Sequence, residues 1–415
     1  MSTVSSARRV AYQVVRRVFE DGAYADRAFR SAAEGAGLDE RDRAFAMQLA
    51  YGTVQRARTL DHAIERLGRR PVRKLDPPVL AALRLGGYQL AYLDVSAHAA
   101  ANESVELVRA ARLERAVPFT NAVMRRLAQG IRGLVASLPD ATPADAALRH
   151  SYPDWIAETF WREHGAEAAR ALLAAGNEPA PTVVRCAPHA PELPGERDPD
   201  LPGALTVGRI PEEWLDQGFV WPQSRGSQLA GLAVGAEPGE RILDLCAAPG
   251  GKTSQLAEVA AEVVAVEIHE GRARELAANT GRLGLVNVEV VNADALALPT
   301  NLTGFDRVLV DAPCSGLGVL ASRPDQRWHA KPLPDLQLAL LAVARDRVRP
   351  GGSITYAVCT IHEAENAAVV DEVGLPFDDL GAEWPGFRQP ARPQFLLTLP
   401  HVHRTSGFFV ARMRA

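Results

Sequence analysis

From about residue 238 onward, short apolar runs alternate with helical segments, and this alternation constrains the fold more than any other feature of the chain. The runs include RILDL, VVAVEI, VEVVNAD and FDRVLVDAP, and GGSITYAVCT and GFFVARM follow them. Runs that are apolar throughout are typical of strands buried on both faces, whose crossover helices cover a parallel sheet. We therefore predict an α/β domain built on a mostly parallel, doubly wound sheet with an antiparallel C-terminal strand.

The first part of the chain has a helical pattern instead. Val10, Val14 and Val18 recur at one-turn spacing, and the same spacing separates Leu60 from Ile64. Apolar residues at this spacing lie on one face of a helix, so we predict an all-α N-terminal domain.

These patterns divide the chain into three predicted parts. The all-α domain would span residues 1–142, and the α/β domain would span residues 236–415. Residues 143–235 would form a linker or a small α+β subdomain, because an amphipathic helix pair is followed there by a Pro-rich stretch from Pro179 to Pro202.

The net charge of −4 is unevenly distributed along the chain. Residues 1–150 carry +7, and the remaining 265 residues carry −11. A basic domain on an acidic body is typical of proteins that bind a polyanion, although solvated helix faces would give the same excess. Charge alone leaves both interpretations open.

Four widely spaced cysteines offer neither paired metal-ligand spacing nor a dense disulfide framework. No apolar run approaches the length of a membrane span, and Arg16 and Arg17 interrupt the only apolar stretch near the N-terminus. We expect a reduced, cytoplasmic, monomeric protein with no metal ion and no membrane partner. Cys186 belongs to no motif and is expected to be structural.

The stretch LDLCAAPGGKTSQ, residues 243–255, places a glycine turn directly after the first α/β strand. GGKTS resembles the end of a phosphate-binding loop, but that loop requires glycine where this chain has Cys246. A P-loop NTPase is therefore disfavoured. Lys252 is one of only three lysines among 46 basic residues, a weak hint that this turn needs a compact ammonium group.

Polar side chains stand at the carboxyl ends of the predicted strands, where doubly wound sheets bind their ligands. These residues are Asp244, Glu267, Asp294, Asp311, Cys314 and Cys359. Each acid by itself is more often a helix N-cap, and Cys246 by itself is more often a small buried residue. Their arrangement around one crevice nevertheless favours a binding site.

The ligand expected in this crevice contains adenosine but no pyrophosphate. Glu267 follows the glycine turn at about the distance, roughly 20 residues, at which an acid binds ribose hydroxyls in dinucleotide sites. The Gly-x-Gly-x-x-Gly spacing of nicotinamide cofactor sites is missing. S-adenosylmethionine has this character, because carboxylates can also stabilise its sulfonium cation.

Several motifs together resemble those of the RNA cytosine carbon-5 methyltransferases. They are LDLCAAPGGKTSQ, VEIHEGR, NADA, DAPCSGLGV with RPDQRW, and YAVCT followed by EAEN. In the N-terminal part, RRVAYQVVRRVF, LRLGGYQLAYL, HAAANESVEL and FTNAVMRRL resemble the NusB-like domain that precedes the catalytic domain in the bacterial 16S rRNA methyltransferase B (Fmu/Sun) family. The resemblance covers nearly the whole chain and implies a Rossmann-like class I methyltransferase domain.

The resemblance implies S-adenosylmethionine as the cofactor and assigns residues to it. The methionine part would lie against Cys246, Ala247, Ala248, Pro249, Gly250, Gly251 and Lys252. Glu267 would bind the ribose, Asp294 would lie by the adenine, and Asp311 would face both the cofactor and the target base.

The resemblance also implies covalent catalysis. Cys359 would add to carbon 6 of a cytosine, which makes carbon 5 nucleophilic enough to accept a methyl group. Cys314 would assist in resolving the covalent adduct. Asp311, supported by Lys252, would contact the ring nitrogen or the amine of the cytosine.

The substrate that the resemblance implies is a cytidine of 16S rRNA. Arg8, Arg9, Arg125 and Arg126 of the basic N-terminal domain are candidate phosphate contacts, although each alone could be a solvated surface residue. Two alternatives stay open: a tRNA methyltransferase with the same chemistry, and a NusB-like RNA-binding assembly factor with little catalytic activity.

Overall fold

The computed structural model describes residues 4–415, which form two compact units. The helical unit contains residues 4–178 and a later segment, Leu320–His329. The sheet unit contains Pro179–Val319 and Ala330–Ala415.

The predicted helical faces of the N-terminal part are confirmed. Val10, Val14 and Val18 are buried on one face of the first helix, and Leu60 and Ile64 are buried on the fourth. Within residues 4–178, the helices are α1 (Ser6–Glu20), α2 (Ala25–Ala33), α3 (Glu40–Gln55), α4 (Ala57–Gly68), α5 (Pro77–Tyr92), α6 (Ala97–Ala110), α7 (Val117–Ala136), α8 (Pro143–His150) and α9 (Asp154–Ala175).

Helices α8 and α9 belong to the helical unit because they bind to α4. Thr59 donates its hydroxyl hydrogen to the Leu148 carbonyl at 2.6 Å, and Arg58 Nη2 lies 2.7 Å from the Asp154 carboxylate. The unit therefore continues past the first boundary predicted from the sequence. The three-part division of the chain stays a prediction.

The segment Leu320–His329 joins the helical unit through Arg327 and Trp328. Arg327 is 1% exposed, and its guanidinium carbon lies 4.1 Å from the centre of the Tyr152 ring. Trp328 donates its indole N–H to the Val54 carbonyl at 2.9 Å. Arg327 donates to acceptors in separate parts of this unit: the carbonyls of Gln55, Ser151, Gly176 and Leu320 and the side-chain oxygen of Asn177.

Replacing Arg327 with methionine is expected to destabilise the helical unit by about 2–4 kcal/mol, because several buried carbonyl groups lose their donor at once. Urea unfolding followed by circular dichroism measures this loss. Arg323→Met is the matched control, since the Arg323 side chain is 50% exposed and its ion pair with Asp26 is worth at most about 1 kcal/mol. Equal losses of stability in the two variants would contradict the role given to Arg327.

The sheet unit begins with a small antiparallel sheet. The Pro-rich stretch contributes to this sheet, whose order is β2-β3-β1-β4, and Val184, Leu205 and Val220 form its core. Its strands are β1 (Val183–Cys186), β2 (Glu196–Arg197), β3 (Ala204–Thr206) and β4 (Val220–Pro222).

Within the described residues, the larger sheet contains seven strands in the order β10-β11-β9-β8-β5-β6-β7. These are β5 (Arg241–Asp244), β6 (Glu262–Glu267), β7 (Val288–Asn292), β8 (Phe305–Asp311), β9 (Val348–Val358), β10 (Leu396–Thr398) and β11 (Phe408–Arg414). Strands β5 to β9 pair in parallel, and β11 pairs antiparallel with β9. The predicted doubly wound sheet with an antiparallel C-terminal strand is therefore confirmed.

The remaining helices mostly connect these strands. They are α10 (Glu212–Asp216), α11 (Arg225–Leu232), α12 (Gly251–Ala257), α13 (Glu270–Arg282), α14 (Gln326–His329, in the helical unit), α15 (Pro334–Arg347), α16 (Ala367–Val373), α17 (Leu380–Glu383) and α18 (Pro400–His403). Between residues 4 and 415, no helix is both long enough and apolar enough to cross a membrane.

The topological switch point of the larger sheet lies between β5 and β8. The chain runs outward from β5 through β6 to β7, and then returns to β8 on the other side of β5. Loops after β5 and β8 therefore diverge and leave a crevice at the carboxyl ends of the strands, where such sheets bind ligands.

Candidate active site

The structure brings the predicted site residues to one edge of the larger sheet. Asp244, Glu267 and Asp311 are the last residues of β5, β6 and β8, and Cys359 directly follows β9. Because β9, β8, β5 and β6 are consecutive neighbours in the sheet, these residues lie side by side along the crevice. Cys314 lies in the loop that follows β8.

The glycine turn after β5 is held in place by α13. Arg272 Nη2 donates to the Ala248 carbonyl at 2.7 Å, and Asn279 donates to the Pro249 carbonyl at 3.0 Å. Gly250 has φ +107°, and a Cβ there would lie 2.7 Å from a methyl carbon of Leu276. Glycine is therefore required at this position both by backbone conformation and by space.

Asp244 offers a buried hydrogen-bond acceptor at the centre of the crevice. It is 1% exposed, and Thr253 donates its hydroxyl hydrogen to one carboxylate oxygen at 2.8 Å. Burial raises the pKa of Asp244 to about 7. Its other oxygen, Oδ1, is buried and accepts no hydrogen bond of regular geometry among residues 4–415, and the Cys246 N–H lies close to the carboxylate. A buried acceptor without a donor fits a ligand that supplies one.

Glu267 and Asp294 occupy different environments. Glu267 is 4% exposed, accepts a hydrogen bond from the His269 N–H at 2.9 Å and lies 3.4 Å from Arg272. Asp294 is exposed and accepts from the Leu296 N–H at 2.9 Å, as a helix cap does. The neighbours of Glu267 thus hold its carboxylate at the end of β6. Asp294 lies two residues after the end of β7.

The two cysteines of the crevice form an unequal pair. Their sulfur atoms lie 3.5 Å apart, within hydrogen-bonding distance. This hydrogen bond lowers the pKa of Cys359 and, together with burial, raises the pKa of Cys314. Cys359 is therefore the thiol that ionises first, and once it is ionised the Cys314 S–H is the hydrogen-bond donor between the two sulfur atoms.

Lys252 and Asp311 form an ion pair beside the thiols. Lys252 Nζ lies 2.8 Å from Asp311 Oδ2 and 5.0 Å from the centre of the Phe408 ring. Lys252 is 8% exposed, so its ammonium group is held between a carboxylate and an aromatic face. The Asp311 carboxylate raises the pKa of Cys359, and the Lys252 ammonium lowers it by less, so the ion pair as a whole does not favour the thiolate.

The four predicted phosphate contacts all lie in the helical unit but differ in their surroundings. Arg8 Nε donates to Gln89 at 2.7 Å, and its guanidinium lies 3.0 Å from Glu103. These contacts leave little of Arg8 for a phosphate group. The other three side chains are exposed: Arg9, Arg125 and Arg126.

A run of basic residues that the sequence analysis did not single out lies beside Arg126. Arg126 Nη1 is 3.4 Å from the carbonyl of Gly68, the last residue of α4. The surrounding sequence RLGRRPVRK, residues 66–74, contains five basic and no acidic residues, and all five are exposed. We call the following set the basic surface: Arg66, Arg69, Arg70, Arg73, Lys74 and Arg126.

Sequence reasoning missed the residues that hold the site together. Thr253 and Arg272 reach Asp244 and the glycine turn from other elements, which no local pattern indicates. Glu365 is completely buried and accepts a hydrogen bond from the Ser315 N–H at 2.9 Å. Its position in the motif EAEN was the only signal that could have pointed to it.

Comparisons with known proteins agree with this geometry. Residues 232–414 match the family described as 16S rRNA methyltransferase RsmB/F, and residues 5–129 match the NusB family. A Synechocystis protein named "Probable ribosomal RNA small subunit methyltransferase B" is 32% identical over 99% of both chains. A ribosomal RNA small subunit methyltransferase B of Klebsiella pneumoniae is 31% identical over 98% of this chain and 97% of the relative.

A solved structure of a methyltransferase homologue from Pyrococcus horikoshii has a TM-score of 0.57 at 26% identity. The match covers 66% of the present chain and 99% of the Pyrococcus horikoshii chain. The fold is that of a methyltransferase domain preceded by a NusB-like helical domain. The chain belongs to the 16S rRNA methyltransferase RsmB/F family.

Proposed function

We propose that this protein transfers a methyl group from S-adenosylmethionine to carbon 5 of a cytidine in 16S rRNA through a covalent adduct with Cys359. The observation that carries the proposal is the unequal thiol pair, Cys314 and Cys359, at 3.5 Å in the crevice. Family membership supports an RNA methyltransferase. The pair adds the nucleophile that methylation of a pyrimidine carbon requires.

Cys359 is the nucleophile in this proposal because its thiolate is the one stabilised by its neighbours. Its sulfur would form a bond to carbon 6 of the cytosine, and the electron pair displaced from the carbon 5–carbon 6 double bond would make carbon 5 nucleophilic. The S–H donor of Cys314 favours the ionised form of Cys359, and the charge of Lys252 offsets part of the opposing effect of the Asp311 carboxylate. Such assistance matters because an unperturbed thiol, with a pKa near 8.5, is mostly protonated at neutral pH.

Asp311 and Cys314 would complete the reaction. Asp311, held at 2.8 Å by Lys252, would accept a hydrogen bond from the exocyclic amine of the cytosine, or from its ring nitrogen once that nitrogen is protonated, and so orient the base. After methyl transfer, carbon 5 must lose its proton before the bond between carbon 6 and Cys359 breaks. A water molecule would accept that proton, and the electron pair of the C–H bond would re-form the carbon 5–carbon 6 double bond as the Cys359 sulfur leaves as a thiolate. The S–H of Cys314 would donate to the leaving sulfur and so assist release of the methylated base.

The crevice residues fit S-adenosylmethionine, which supplies an electrophilic methyl group on its sulfonium sulfur when bound. The unpartnered buried oxygen of Asp244 can accept a hydrogen bond from the ligand. Glu267 would accept hydrogen bonds from the ribose hydroxyls, and Asp294 would lie by the adenine. The turn from Cys246 to Lys252 would hold the methionine part.

The basic surface of the helical unit is the proposed contact for the rRNA backbone. Its arginines present a concentrated positive charge, of which Glu65 offsets one unit, because its carboxylate accepts a hydrogen bond from the Val72 N–H at 2.8 Å. Phosphate contacts of this kind position an RNA without reading its sequence. The target cytidine would leave its stack to enter the crevice, at a cost of a few kcal/mol that is smallest in a loop.

The wild-type protein should label protein-free 16S rRNA with 5-methylcytosine when it is given labelled S-adenosylmethionine, whereas Cys359→Ala should give none. Cys314→Ala should accumulate a covalent protein–RNA adduct that survives denaturing electrophoresis, because release of the adduct is impaired. Cys186→Ala is the control, since Cys186 lies in the small sheet.

The RNA substrate decides between this proposal and its rivals. Label in a tRNA pool but not in 16S rRNA would support the proposed reaction and contradict the proposed substrate. Cofactor binding without label in either RNA would favour an assembly factor. An adduct in Cys359→Ala instead of Cys314→Ala would reverse the roles of the two thiols.

Glu267→Gln is expected to weaken binding of S-adenosylhomocysteine about 10- to 100-fold, because a neutral amide replaces a carboxylate that accepts charge-assisted hydrogen bonds. Isothermal titration calorimetry gives the affinity. Glu270→Gln is the matched control three residues away, where the side chain is 75% exposed. Loss of affinity in both variants, or in neither, would contradict the assignment of Glu267 to the ribose.

Replacing Arg69, Arg70 and Arg73 together with glutamine should weaken binding of a 16S rRNA fragment and flatten its salt dependence. The slope of log K against log salt should fall by about 0.7–0.9 for each phosphate group that is no longer neutralised. Filter binding at several salt concentrations measures this slope. The control replaces Arg27, Arg30 and Arg41, which are also exposed but have acidic residues among their sequence neighbours. An equal effect in the control would show that only net charge matters.

A further inference from the structure

Glu365 is a completely buried carboxylate beside the thiol pair. Oε1 accepts hydrogen bonds from the Ser315 N–H at 2.9 Å, the Leu333 N–H at 3.0 Å and the Gln337 side-chain amide at 3.0 Å. Oε2 accepts one from the Ser315 hydroxyl. Burial of a charged carboxylate is costly unless its oxygens are satisfied, and here the donors that satisfy them are neutral.

These hydrogen bonds fix the loop that carries Cys314 on both sides of the thiol. Ser315, the residue after Cys314, gives Glu365 both its N–H and its hydroxyl hydrogen. Gln337, which binds Glu365, also donates to the carbonyl of Pro313, the residue before Cys314, at 3.0 Å. Cys314 is therefore bracketed by contacts that all lead to one carboxylate.

The same network reaches the segment that carries Cys359. The hydroxyl oxygens of Ser315 and Thr360 lie 2.9 Å apart. Because the Ser315 hydroxyl donates its one hydrogen to Glu365, Thr360 must be the donor in this contact. On the other side of Cys359, Tyr356 donates its hydroxyl hydrogen to the backbone carbonyl of Glu365 at 2.7 Å.

We infer that Glu365 is a positioning residue for the methyl transfer, and that it holds the Cys314 thiol against the Cys359 sulfur through Ser315, Gln337 and Thr360. The inference rests on the proposed function, because it concerns the step in which the adduct is released. The negative charge of Glu365 also helps to raise the pKa of Cys314, which keeps that thiol protonated and able to donate.

Glu365→Ala should therefore have the same effects as Cys314→Ala, but to a smaller extent. Turnover should fall about 100-fold, since loss of the bracket lets the Cys314 thiol move by about 1 Å. Covalent protein–RNA adduct should accumulate, and the affinity for S-adenosylhomocysteine should stay unchanged because Glu365 does not touch the cofactor half of the crevice. Glu363→Ala, an exposed carboxylate two residues away, is the control.

Glu365→Gln tests whether the hydrogen bonds of residue 365, without its negative charge, are enough to position Cys314. The amide oxygen can keep the three donors of Oε1, and the amide nitrogen can donate to the Ser315 hydroxyl if that hydroxyl turns toward Thr360. This variant should recover most of the turnover and show little adduct. Should Glu365→Ala fail to fold, Gln337→Met removes one bracket contact with a side chain of similar volume and should accumulate adduct to a smaller extent.

Alkylation of Cys359 gives a second readout that needs no RNA. The rate of carbamidomethylation by iodoacetamide, followed by mass spectrometry against pH, reports the ionisation of Cys359. Glu365→Ala should shift this profile to higher pH, as Cys314→Ala should, because the S–H donor is displaced. Glu363→Ala should match the wild type, and Glu365→Gln should lie between the wild type and Glu365→Ala, because it keeps the hydrogen bonds but loses the charge.

The outcomes separate the inference from the proposed function. A folded Glu365→Ala with wild-type turnover and a wild-type alkylation profile would overturn the inference, as would a Glu365→Gln variant that traps as much adduct as Glu365→Ala. A wild-type protein that forms no 5-methylcytosine would overturn the proposed function instead, and the alkylation profile would still decide whether Glu365 positions Cys314.

Discussion

The arrangement of the crevice depends on the close approach of two glycine backbones, Gly318 and Gly407. The Gly407 N–H donates to the Gly318 carbonyl at 2.7 Å, and the Gly318 N–H donates to the Cys359 carbonyl at 3.0 Å. A Cβ on Gly318 would overlap the Gly407 carbonyl oxygen, so a side chain cannot occupy this place. The hydrogen bond from the Gly318 N–H to the Cys359 carbonyl joins the loop after β8 to the residue after β9, and so helps to keep the two sulfur atoms close to each other.

The two thiols of the crevice have pKa values shifted in opposite directions because their surroundings differ. Cys359 accepts a hydrogen bond and lies near the Lys252 ammonium, whereas Cys314 donates the hydrogen bond and lies near the Glu365 carboxylate. Environments that move the pKa values of neighbouring groups apart are a general means of separating an acid from a base or nucleophile. In this crevice the difference in pKa comes mainly from the hydrogen bond between the two sulfur atoms, which depends on how closely the backbone holds them.

The sequence predicted the larger sheet well because its strands are apolar throughout and its helices are amphipathic, and it predicted the row of Asp244, Glu267, Asp311 and Cys359 because parallel strands end at one edge. It did not predict β10, which has only three residues. Nor could it predict Glu365, since a carboxylate in a polar segment looks exposed until its donors, distant in sequence, surround it. The basic run of residues 66–74 is visible in the sequence, but only the structure shows that Arg126 lies beside it.

The placement of Leu320–His329 affects the order in which the protein can fold during synthesis. Domains generally fold as units from the N-terminus as the chain emerges from the ribosome. The helical unit departs from this order. The carbonyls of Gln55, Ser151 and Gly176 receive their hydrogen bonds from Arg327, which is synthesised much later. Strands β1 to β8 of the sheet unit are synthesised after Glu178 and before Arg327. A shortened chain that ends at Glu178 would thus be a helical unit with an unfilled polar centre.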